Sequence, residues 1–132
     1  MKIWIQSVAA VVGGFLGWFL GGLDGLVYAL IAIVAVDFIA GIMRGILEKE
    51  LSSKVCARGI FKKIMVLLLV GVANIVDIYL IQSHNSPLRT AVIFFYIANE
   101  GISVLENACA IGLPVPDKLK DVLVQFKKKG DS

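Results

Sequence analysis

Apolar positions dominate this chain in long runs that charged or turn-forming residues interrupt at only a few places. Four runs stand out, at about residues 3–23, 25–43, 64–82 and 90–113. Each has about the 20 residues that a helix needs to cross hydrocarbon. Asp24, between glycines, separates the first two, and Ser83 to Arg89, with Pro87, separates the last two. Both connections are short enough to make tight helical hairpins. The pattern predicts an all-α membrane protein of four transmembrane helices arranged as two hairpins. Beyond Pro114 and Pro116, Leu119, Val122, Leu123 and Phe126 recur at helical spacing among lysines and aspartates. Residues 114–132 therefore read as a basic tail holding a short amphipathic helix at the membrane surface.

Composition agrees. Of 132 residues, 58% are hydrophobic and 17% charged, with a mean hydropathy of +0.87, whereas a soluble domain carries roughly a quarter charged residues. Lys and Arg set the direction of the spans, because short loops rich in them stay in the cytoplasm. Lys2, the six basic residues from Arg44 to Lys63 and the five from Lys118 to Lys129 share one side, leaving Arg89 alone on the other. Both termini and the 44–63 loop are expected in the cytoplasm, with Asp24 and the His84 loop outside. A cleaved signal peptide fits poorly, since the first run is about twice a usual apolar core and no clean A-x-A site follows it.

The polar residues inside the runs carry the candidate chemistry. Asp37 lies in the second span, Asn74 and Asp77 in the third, and Asn99, Glu100, Ser103, Glu106 and Asn107 in the fourth. An aspartate at a helix centre costs about 2.5–3.5 kcal/mol on insertion scales, against about 0.3–0.6 returned by each Leu, Ile, Val or Phe. The third span holds twelve of these, so it inserts with a thin margin, and its acid should face other helices or water. In the fourth span Tyr96, Asn99, Glu100, Ser103, Glu106 and Asn107 form one polar stripe. That stripe is either hydrogen-bonded glue between helices or the wet wall of an assembly of copies.

Ala9, Gly13, Gly17, Gly21 and Gly25 recur every four residues and predict a close-packing groove, either within the chain or between copies; Gly41 adds a second small position. Ser52 or Ser53 can cap a helix entering the third span. Lys62, Lys63, Lys127, Lys128 and Lys129 are placed for anionic lipid headgroups. Cys56 and Cys109 read as free thiols, and the single His84 as a loop residue. There is no phosphate-binding glycine loop, no nucleophile paired with histidine and no metal-ligand spacing. Asp37 and Asp77 alone are weak grounds for an intramembrane hydrolase. No enzyme activity, cofactor or metal is expected, and basic residues adjoining spans point to lipid rather than nucleic acid.

Several segments together resemble one family: Asp37-Phe38-Ile39-Ala40-Gly41, Ser52-Ser53 with Arg58-Gly59-Ile60 and Lys62-Lys63, Phe95 to Ser103, Glu106-Asn107, and Gly112-Leu113-Pro114-Val115-Pro116. They are similar to the toxin secretion/phage lysis holin family over about residues 20–120. That resemblance implies a small multi-pass protein that accumulates in the cytoplasmic membrane, forms homo-oligomers and opens lesions. Through these an endolysin or a large toxin leaves the cell, without obligatory direct contact. It transfers no enzymatic role to any residue. Some holins time themselves with a second start codon, but here the next methionine is Met43, within the second span. Two other functions remain open on the residues alone, a small ion or proton transporter subunit and a passive assembly protein.

Overall fold

The computed structural model describes residues 1–131, with the side chains at 126, 127, 130 and 131 outside the description. The described residues form five helices: α1 (Lys2–Leu20), α2 (Gly25–Leu47), α3 (Ser53–Ile75, continued by a π-helical stretch Val76–Ile81), α4 (Pro87–Ile111) and α5 (Asp117–Asp131). The first four, counting the π stretch with α3, are long and apolar enough to cross a membrane. The third is longer than its apolar run, because Ser52 accepts the Val55 N–H at 3.2 Å and starts the helix within the charged segment. Only a short turn remains between α2 and α3, with Lys49 at positive φ.

Local chemistry explains the other ends. Gly21 and Gly22 take positive φ, the Gly22 N–H returns to the Gly17 carbonyl at 2.7 Å, and α1 stops. Asp24 then caps α2 by accepting from the Val27 N–H at 3.1 Å. Gly112, also at positive φ, closes α4. The glycine stripe expected to run along one helix is consequently cut. Gly21 belongs to the turn and Gly25 opens α2.

The apolar core gathers Leu20, Val27, Leu30, Val66, Val70, Ile93 and Ile97 from α1 to α4. Helices α2, α3 and α4 pack around it, while α1 contributes only Leu20 as a buried residue and leans on α3. The Phe19 ring lies directly over Gly71 of α3, where a Cβ atom would overlap it. α5 folds back on α4, placing the Leu123 methyls where a Cβ at Gly101 would meet them at 3.1 Å. Its lysine end reaches Phe94, with Lys129 Nζ 5.2 Å from the ring centre. Leu123 of the α5 apolar strip thus meets α4, while Leu119 and Val122 stay exposed.

Candidate functional site

Two polar clusters pin the bundle at opposite ends. Toward the α2–α3 turn, Lys63 of α3 projects between two carboxylates, 2.6 Å from Asp37 Oδ2 of α2 and 2.8 Å from Glu100 Oε2 of α4. Asn107 donates to the other Asp37 oxygen at 3.3 Å and accepts from Arg44 at 3.4 Å, and Arg44 pairs with Glu48 at 3.2 Å. Asp37, Glu100 and Asn107 are buried. Two clefts of about 210 and 490 Å³ flank the cluster and share Asp37, Lys63 and Ser103 as lining residues. Gly41 lies beneath Asn107, 3.9 Å from where its own Cβ would be.

Lys63 departs from its expected place. The sequence places it beside Lys62 for lipid headgroups, yet it turns into the bundle while Lys62 stays exposed. The reason is helical phase. Lys63 shares the side of α3 that continues through buried Val66, Val70, Asn74 and Asp77, so the acids of α2 and α4 meet a cation at their own level.

At the other end Arg89, expected in an outer loop, is 3% exposed. Its guanidinium donates to the carbonyls of Leu20 and Gly22 and to both oxygens of Asp24, at 3.0 and 3.1 Å. These charge-assisted bonds to Arg89 hold the Asp24 carboxyl below its ordinary pKa. Asp77 is fully buried and accepts the N–H groups of Leu88 and Arg89 at 3.0 and 2.8 Å, so it caps α4 from a neighbouring helix. The π stretch carries Asp77, and Ser86, which precedes α4, makes no side-chain cap. Asn74 donates to the Trp18 and Phe19 carbonyls at 3.2 and 3.1 Å, satisfying the end of α1.

The α4 stripe is divided. Glu100 and Asn107 face the cluster, while Asn99 and Glu106 are exposed on the outer edge and Ser103 lies between. Among the described residues no buried side-chain nitrogen or oxygen lacks a hydrogen-bond partner, so the buried polar groups are satisfied within one chain. The small positions of α1 are open. A side chain at Gly13 would meet nothing within 4 Å, and one at Gly17 only Leu23 at 3.9 Å. Gly71, inconspicuous in its apolar run, makes the closest approach to a neighbouring helix among the described glycines. Lys128 is exposed, and Lys127 falls outside the described side chains. No group of His, Cys, Asp or Glu able to hold a metal occurs among the described residues.

Comparison with known proteins places the chain. The model of a bacteriophage holin family matches residues 14–128. An uncharacterized protein of Listeria innocua is 42% identical over 132 residues, covering 99% of this chain and 93% of its own. An uncharacterized 14.9 kDa protein of Clostridium perfringens is 38% identical, covering 89% of each chain. A probable holin of Bacillus phage phi105 is 34% identical over 102 residues, 77% of this chain and 74% of its own. No solved structure matches.

Proposed function

Because the chain belongs to the bacteriophage holin family, we propose that it permeabilises the bacterial cytoplasmic membrane. Copies accumulate with both termini in the cytoplasm, assemble, and open lesions that let a cell-wall hydrolase or a large toxin pass. No residue has a catalytic role in this reading. The observation that carries it is the outer edge of α4, where Asn99 and Glu106 are exposed in a span otherwise apolar enough to face lipid. Lipid disfavours both side chains, and an assembly that turns this edge toward water relieves the cost. The inner groups, with Lys63 between Asp37 and Glu100, hold α2, α3 and α4 as one unit during assembly.

Induced expression tests the proposal. The protein should abolish membrane potential abruptly after a delay and allow lysis when a cell-wall hydrolase is present. Asn99→Leu with Glu106→Leu should insert normally yet delay or prevent that event, and unchanged lysis timing would remove this edge from the lesion wall. A second reading, a small ion or proton transporter, draws on the buried Asp37–Lys63–Glu100 cluster between its two clefts. It predicts ion flux proportional to protein amount, without a threshold.

A further inference from the structure

The first half of α3 carries Lys54, Arg58 and Lys62 at four-residue spacing, which places them in one row about 12 Å long on a single helical face. All three are exposed, and they line a surface groove together with Ala57, Phe61 and Met65. Other basic side chains of α2, α3 and α4 are committed: Arg44 to Glu48, Lys63 to Asp37 and Glu100, and Arg89 to Asp24. Among the described residues, Lys54, Arg58 and Lys62 make no hydrogen bond or ion pair. Like charges four residues apart repel, so the row lowers helix stability unless an anion lies against it.

We propose that this groove binds one anionic phospholipid, with its phosphodiester against the row and an acyl chain along Phe61 and Met65. Side chains on a helix lean toward its N-terminus, so the heads of Arg58 and Lys62 rise toward the Ser53 end, where α3 leaves its apolar segment. Phe61 is 69% and Met65 53% exposed, and they continue the groove on its apolar side. A lipid of net negative charge matches both parts. A zwitterionic lipid brings its own cation to three cations, and a water-soluble phosphate leaves Phe61 and Met65 uncovered. Lys63, turned inward, takes no part, and the site does not depend on whether the protein forms lesions.

The test extracts the full chain from vesicles of equal phosphatidylglycerol and phosphatidylcholine into mild detergent, then quantifies retained lipid by mass spectrometry. The wild-type protein should retain phosphatidylglycerol several-fold over phosphatidylcholine. Lys54→Gln, Arg58→Gln and Lys62→Gln together should abolish that preference. Lys2→Gln, Lys118→Gln and Lys120→Gln, which remove the same charge from α1 and α5, should preserve it. Equal loss in both triple variants, or loss in neither, overturns the site. So does release of bound lipid by glycerol phosphate at concentrations where the lipid itself competes. If the α3 triple variant does not fold, Arg58→Gln should weaken the preference and Arg58→Lys retain it; equal behaviour of these two also overturns the proposal.

Discussion

Lys63 sits where a single atom, its Nζ, serves two acids from two different helices. Removing one partner of a buried ion pair leaves charge without compensation, which costs about 3–5 kcal/mol, whereas replacing all partners by apolar groups is often neutral. Lys63→Met should therefore lower thermal stability in detergent by about 3 kcal/mol. The combination of Lys63→Met, Asp37→Leu and Glu100→Leu should recover most of it. At the opposite end the direction of the Asp24 shift fixes a pH dependence. A carboxyl held below its ordinary pKa stabilises the fold above the unfolded value and loses that contribution as pH falls through the folded one. Asp24→Asn should thus differ from wild type in melting temperature at neutral pH, and the gap should close only below about pH 4. Charge and hydropathy located Asp37, Glu100 and Asp24, but not their partners. Lys62 and Lys63 have the same local sequence, and only the phase shared with Val66 and Val70 separates an outward lysine from an inward one. Arg89 read as a loop charge because its acceptors include backbone carbonyls 67 and 69 residues away.

Among helices, α1 is the one whose position rests on a narrow contact. Its link to the others runs through Phe19 on Gly71, the Leu20 side chain, and the bonds from Asn74 and Arg89 to its last carbonyls. Gly71→Val drives a branched side chain into the Phe19 ring and should destabilise the protein by about 1–3 kcal/mol. Phe19→Ala in the same chain should restore part of that loss in a melting experiment. Periodicity pointed instead to the regular stripe from Ala9 to Gly25, since a repeat announces itself and a solitary glycine does not. The four long spans and the tail helix were legible because apolar runs and helical spacing are local properties. The added length of α3 was foreshadowed by Ser52, whereas the π stretch had no signal, its purpose being to deliver Asp77 beneath a helix that starts ten residues later.

For the whole molecule, the division of the α4 stripe separates what one chain satisfies from what it leaves exposed. Glu100 and Asn107 are used internally; Asn99, Glu106 and the open face of α1 are not. Gly13→Leu tests that face directly. With open space beside Gly13 it should leave the melting temperature of the isolated chain unchanged, while a shift in cross-linked oligomer size in membranes would assign the stripe to contacts between copies. An unchanged size would leave Gly13 facing lipid.

Arg89 also imposes an order on biosynthesis. The corner formed by Leu20, Gly22 and Asp24 emerges from the ribosome long before the guanidinium that binds all three, so the first hairpin waits with open acceptors until the fourth span arrives. A nascent chain stopped short of that residue lacks the donor that ties this bend to the start of α4.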